Sequence, residues 1–257
     1  DLTEQHPFLI MRTPYATFPY GENQFSSRYL LRHYRYYMRE NYIIVQQDVR
    51  GRLMSEGDFV DIRPVVPHRT PQDIDESTDA WDTIDWLIKH VPDNNGRVGA
   101  WGISYPGFYA AQTLIDAHPA LKAVSPQAPV TEWFLGDDFH HNGVLFLADA
   151  FLFYQSFGRP RPKPVPKQPW EFEGQISDIY DFFLDLGPLA KADERWFHGQ
   201  IAFWTELLAH PNRDAWWQAR DPEHPDFAQR TGVSGSVEPY RCEAHGDLHA
   251  VTIGATN

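Results

Sequence analysis

Gly102-Ile103-Ser104-Tyr105-Pro106-Gly107 has the residue types and spacing of an activated serine. It follows the apolar run Arg97-Val98-Gly99-Ala100-Trp101 and precedes a helical pattern that begins at Phe108. A serine on a sharp strand-to-helix turn has its Oγ lifted clear of the sheet, the geometry of a nucleophile elbow. Gly102 and Gly107 leave room where strand and helix nearly touch. The helix N-terminus beneath Ser104 favours developing negative charge. Tyr105, next in the chain, would offer its backbone N–H to an oxyanion. The chemistry this spacing points to is acyl transfer, in which the hydroxyl attacks an ester or amide carbonyl. The plainer alternative is an ordinary βα turn with a capping serine.

Such an elbow needs a parallel sheet to stand on, and the flanking sequence supplies one. Pro7 to Arg12 reads as a buried strand stopped by Pro14, and Tyr42 to Asp48 as a second strand ending at Arg50-Gly51. Ser77 to Val91 reads as a helix capped by Ser77, with Asp79 in its first turn and Trp81, Ile84, Ile88 and Val91 on its apolar face. Asn94-Asn95-Gly96 turns the chain into the elbow strand. Pro106 to Ala117 is the helix after the elbow, and Leu121 to Val124 a short fourth strand. Strands alternating with helices imply an α/β fold.

From Thr131 the character changes. Trp133 to Phe157 is aromatic and mostly helical in pattern. Arg159 to Pro169 is a Pro-rich connector of polyproline type, and Asp178 to Leu186 and Trp196 to His210 look helical again. The chain therefore divides into a partial core with the elbow (1–130), a helical cap insertion (131–227) and a tail (228–257) in which Val251-Thr252-Ile253-Gly254 reads as a short strand.

Composition narrows the partners. The 257 residues carry a formal net charge of −13, which argues against nucleic acid, since phosphate binding needs clustered Lys and Arg. No apolar run is long enough to span a bilayer. The single cysteine, Cys242, rules out an intrachain disulfide and fixes no redox compartment. No cofactor or metal is called for. The expected partner is a small-molecule or short-peptide substrate. A homo-oligomer is compatible with the sequence and not specified by it.

Several motifs occur in order: Arg12-Thr13-Pro14-Tyr15, Gln47-Asp48-Val49-Arg50-Gly51, Ser55-Glu56-Gly57, Asp82-Thr83-Ile84-Asp85-Trp86-Leu87, the elbow, and Gly136-Asp137-Asp138-Phe139. Together, over roughly residues 7–227, they resemble the CocE/NonD serine hydrolases. That group includes α-amino-acid ester hydrolases, glutaryl-cephalosporanic acid acylases, cocaine esterase and X-prolyl dipeptidyl-peptidases. The resemblance implies an α/β-hydrolase core with an inserted helical cap and a C-terminal jelly roll. It implies Ser104 as nucleophile, the Tyr105 backbone N–H as one oxyanion donor and the Tyr15 hydroxyl as the other. It also matches Asp138 to an acid that helps bind a substrate ammonium. From the residues alone, Asp138 reads equally as a helix N-cap or first-turn acid, since Asp137 and Asp138 precede a helical-looking stretch.

Other candidates favour bland readings. Asp48 and Arg50 read as a strand-end salt bridge. His140 and His141 read as structural or cap-lining residues, because adjacent histidines diverge on a helix and no ligand set completes around them. The family pattern puts a triad acid in a Gly-Gly-Trp-x-Asp-type segment after the cap, with a histidine later. Neither is identified in this chain, and His245, Asp247 and His249 lie in the tail without a supporting motif. The expectation is therefore a fragment, with a catalytic serine and oxyanion donors but no base, inactive alone. The competing reading is a non-catalytic remnant or binding module.

Overall fold

The computed structural model describes residues 4–24, 32–66, 70, 72–130, 132–135, 138–168, 170–221 and the backbone of 253–254. Strand β1 (His6–Thr13) lies between β2 (Ile43–Asp48) and β3 (Asn94–Ile103), and β4 (Leu121–Gln127) pairs on the far side of β3. All these pairings are parallel, and β7 (Ile253–Gly254) adds antiparallel to β4. The sequence readings of the strands therefore hold, each with slightly different ends. In β1 all residues from Phe8 to Thr13 are buried, as in a sheet covered on both faces.

The helices are set by their caps. Helix α1 (Arg35–Arg39) precedes β2, and α2 (Glu76–His90) crosses back to β3. The cap of α2 is Asp75 and not Ser77: the Asp75 carboxylate accepts from the Ser77 and Thr78 backbone N–H groups at 3.0 and 2.9 Å. Thr78 Oγ1 returns the favour to the Asp75 N–H at 3.0 Å, completing a capping box. A carboxylate reaching two amides outcompetes a hydroxyl two residues later, and the Ser77 hydroxyl itself donates to Asp75. The buried stripe of α2 is Ala80, Ile84 and Leu87, while Trp81 lies at its edge against His118 with ring centroids 4.7 Å apart. Helix α3 (Tyr105–Gln112), shorter than Pro106 to Ala117, is buried along its whole length.

Two hydrophobic clusters meet at α3. Below it, Phe8, Ile10, Val98, Ala100 and Val124 of the sheet pack against Ile84, Leu87, Ala110 and Leu114. Above it, Tyr105, Phe108 and Tyr109 join a mainly aromatic cluster drawn from residues 130–217, including Trp133, Phe151, Tyr154, Trp204 and Trp217. Those three tryptophans are at most 1 % exposed, and burial of each such side chain contributes roughly 2–3 kcal/mol.

Beyond residue 131 the helical reading is only partly right. Strands β5 (His140–His141) and β6 (Val144–Leu145) form a hairpin before α4 (Leu147–Tyr154). Asn142 and Gly143 sit at the turn with φ of 50° and 80°, the left-handed pair that a two-residue hairpin requires. Helix α5 (Ile179–Leu186) has Asp178 as its N-cap. The stretch predicted helical from Trp196 to His210 is broken. A short α6 (Ala190–Ala192) runs into a π-turn at Asp193–Phe197, His198 and Gly199 adopt positive φ, and α7 (Ala202–Ala209) restarts the helix. The last helix, α8 (Ala215–Gln218), is short. The Pro-rich connector is strapped down: Val165 N–H donates to the Leu53 carbonyl at 2.8 Å, and Arg161 Nη2 donates to the Ser55 carbonyl.

Candidate active site

Ser104 stands between β3 and α3 with φ 62° and ψ −124°. That conformation is costly for a residue with a Cβ, and such strain persists only where surrounding structure enforces it. Here the Ser104 N–H donates to the Gln127 carbonyl on β4 at 3.0 Å, and the Ser104 carbonyl accepts the Phe108 N–H at 3.0 Å. The flanking glycines are required sterically. A Cβ on Gly102 would lie 2.1 Å from the Pro106 carbonyl oxygen, and one on Gly107 would lie 2.6 Å from that of Gln127. Ser104 itself is exposed.

A cavity of about 240 Å³ opens over it, lined by Tyr15, Asp61, Ser104, Tyr105, Trp133, Asp138, Phe139, Asp149, Phe153 and Tyr154 among others. All four sequence-predicted residues, Ser104, Tyr105, Tyr15 and Asp138, thus line one space. Trp133, Phe139, Phe153 and Tyr154 give that lining much of its aromatic character. Among the described residues of the lining none is Lys or Arg, and three are carboxylates.

Tyr15 follows the end of β1, where Arg12 is held by Glu76: Nη1 donates to the Glu76 carbonyl at 2.6 Å and Nη2 to its carboxylate at 3.2 Å. The Tyr15 ring meets the Tyr105 ring edge-on, with centroids 6.2 Å apart and planes at 84°, and leans on Phe157. Desolvation of its hydroxyl, then Asp138 and Asp61, push its pKa up to about 12, so it stays a proton donor.

Sequence reasoning missed Asp61. It is 8 % exposed and accepts the Tyr105 hydroxyl at 2.5 Å and the Tyr154 hydroxyl at 2.9 Å. The Tyr105 oxygen in turn accepts the Ile62 N–H at 3.0 Å. Burial pushes the Asp61 carboxyl up to about 6, against the pull of these phenols and of Arg52. One acid thereby joins the elbow to cap helix α4. Its partners lie 44 and 93 positions away, so no local pattern announces it.

Asp138 is exposed on the solvent side of the cavity. The helix-capping alternative fails, because a hairpin follows it and α4 begins only at Leu147. His140 and His141 lie on β5 and not on a helix; His140 is buried, stacked on Phe134 at 4.1 Å, and His141 stacks on Phe146. Desolvation lowers the His140 pKa. The Asp48–Arg50 reading is corrected: Asp48 accepts the Tyr20 hydroxyl at 2.7 Å, and Arg50 pairs with Asp79 at 2.5 Å. The backbone beyond β2 turns away at Gly51 (φ 72°), and Asp79 on α2 offers Arg50 a bidentate partner. His245, Asp247 and His249 lie outside the described residues. Among the described residues no histidine lines the cavity, and no cluster of His, Cys, Asp or Glu could hold a metal. Nor is any helix among them long and apolar enough to cross a membrane.

The family described as X-Pro dipeptidyl-peptidase (S15 family) matches residues 2–235. The chain belongs to this family. S15 members and their relatives are serine-type ester and peptide hydrolases with an α/β fold. Cocaine esterase of Rhodococcus sp. (strain MB1 Bresler) is 26 % identical over 220 residues, which is 83 % of this chain and 35 % of that protein. An aminopeptidase from a marine sediment archaeon, Thaumarchaeota archaeon, superposes with a TM-score of 0.73 at 32 % identity, covering 89 % of this chain and 37 % of that one. An α-amino acid ester hydrolase superposes with a TM-score of 0.70 at 32 % identity, covering 86 % and 36 %. This S15 chain spans about a third of the length of these relatives.

Proposed function

We propose that this S15 chain carries the nucleophile and oxyanion hole of a hydrolase that cleaves esters or amides of α-amino-acyl or dipeptidyl substrates. The observation that carries the reading is the strained Ser104 sharing one cavity with Tyr15 and Tyr105. In the proposed reaction Ser104 Oγ attacks the carbonyl carbon while its proton passes to a histidine base that is not among the described cavity residues. The carbonyl oxygen becomes an alkoxide, received by the Tyr105 N–H and the Tyr15 hydroxyl. The C–O or C–N bond then breaks, the leaving group takes the proton, and water repeats the sequence on the acyl-serine.

Asp138 is proposed to bind the substrate ammonium. Its support is an exposed carboxylate in the cavity lining, with no Lys or Arg among the described lining residues. A charge-assisted contact there would select substrates with a free α-amino group. The cap, taken as residues 131–227, is proposed to exclude water from the acyl-enzyme through its aromatic roof.

The test is hydrolysis by the full-length protein of an α-amino-acid p-nitroanilide and ester, each with a free and an acetylated amine. Turnover of the free-amine substrates that disappears in Ser104→Ala supports the reading. Absence of any Ser104-dependent turnover, with substrate binding retained, would establish the binding-module alternative instead.

A further inference from the structure

Arg52 is a buried cation that the reaction as written does not use. It is 2 % exposed and lies against two rings that meet edge-on, 5.0 Å from the Phe59 centroid and 4.4 Å from that of Phe157. Its Nε donates to the carbonyl of Pro14 at 2.7 Å, and its Nη1 is buried with no hydrogen-bond partner among the described residues. Pro14 immediately precedes Tyr15, and Phe157 packs on both the Tyr15 and the Tyr105 rings, at 5.9 and 5.8 Å. The guanidinium therefore touches the Tyr15 loop in two ways: directly at the backbone, and through the ring that backs the phenol. The titratable groups around it are Asp61, Arg161 and the neutral phenols Tyr105 and Tyr109.

We infer that Arg52 is the positioning residue of the oxyanion loop: packed against Phe59 and Phe157, it holds the Pro14 carbonyl and thereby fixes the Tyr15 hydroxyl in the Ser104 cavity. The inference rests on reading Tyr15 as an oxyanion donor. Two physical arguments favour this over a purely structural role. Proline cannot donate, so Pro14 offers the loop only its carbonyl as a handle, and a planar guanidinium holds it while stacking on rings. A buried cation also contributes little net stability, since its desolvation opposes folding and offsets its attraction to Asp61. A cation kept in such a place is better accounted for by placement of the loop than by stability. Its positive charge also acts to lower the Tyr15 pKa, which makes the phenol a stronger donor.

The experiment uses the full-length protein carrying Arg52→Met, Tyr15→Phe or both, with tyrosine labelled at the ring Cζ for carbon NMR. The Tyr15 resonance is assigned by its absence in Tyr15→Phe. Arg52→Met should shift and broaden the Tyr15 resonance while leaving that of the exposed Tyr180 in place. It should lower kcat for ester hydrolysis by roughly ten- to hundred-fold with KM within about twofold, because small misplacement of a donor is costly. In the Tyr15→Phe background the same substitution should cost less than about twofold. If Arg52→Met does not fold, Arg52→Lys serves in its place with a smaller effect in the same direction, since lysine lacks the Nε geometry. An unmoved Tyr15 resonance, or equal rate losses with and without the Tyr15 hydroxyl, would overturn the inference. If Tyr15→Phe alone leaves hydrolysis unchanged, the oxyanion reading itself fails, and that result is distinct from the first.

Discussion

The Tyr105 hydroxyl donates to the Asp61 carboxylate at 2.5 Å, so the residue following the elbow serine is anchored through its side chain to a buried acid. Tyr154 of the cap reaches the other oxygen of the same acid at 2.9 Å. One carboxylate therefore links the elbow to helix α4, and both attachments depend on it in part.

That dependence has a pH signature. Asp61 ionises at about 6 in the folded chain against an ordinary value of 3.8. The folded state binds its proton more tightly, so this site favours folding most below about pH 4, and that advantage is lost as pH rises to about 6. The loss amounts to roughly 3 kcal/mol for a shift of this size. Denaturant unfolding of the wild type and Asp61→Asn, measured from pH 4 to 7, should give a stability difference that moves against the wild type across that window. A difference independent of pH would show that Asp61 titrates normally.

Tyr15→Phe removes one proposed oxyanion donor and keeps the ring packed against Tyr105 and Phe157. The expected result is a fall in kcat of about 10²- to 10³-fold with folding intact. Steady-state kinetics alongside near-ultraviolet circular dichroism checks both halves. A fall below about threefold would leave Tyr15 as a wall of the pocket only.

Asp138→Asn keeps the shape of the rim and removes its charge. Relative kcat/KM for free-amine over acetylated substrates should drop roughly ten-fold or more, the usual worth of a charged hydrogen bond. Equal losses on both substrates would assign Asp138 a structural duty.

Much of this was legible in the chain, and the exceptions have physical causes. The elbow could be read because strand, turn and helix each leave a local pattern, and Gly102 and Gly107 mark the close approach. The Ser77 cap was misread because Asp75, two residues earlier, brings a charge to the same amides. The hairpin at His140–Leu145 was masked by surrounding aromatics, although Asn142-Gly143 was the signal that could have revealed it. Asp61 and Arg52 left no signal, because their partners are distant in sequence and meet only in the folded chain.

The central claim is that Ser104 is the nucleophile, and covalent labelling tests it most directly. The full-length protein is treated with an active-site-directed fluorophosphonate and mapped by peptide mass spectrometry. The account predicts one adduct, on the peptide containing Ser104, absent in Ser104→Ala and formed much more slowly in Tyr15→Phe. An adduct on another residue, or labelling that persists in Ser104→Ala, would contradict it.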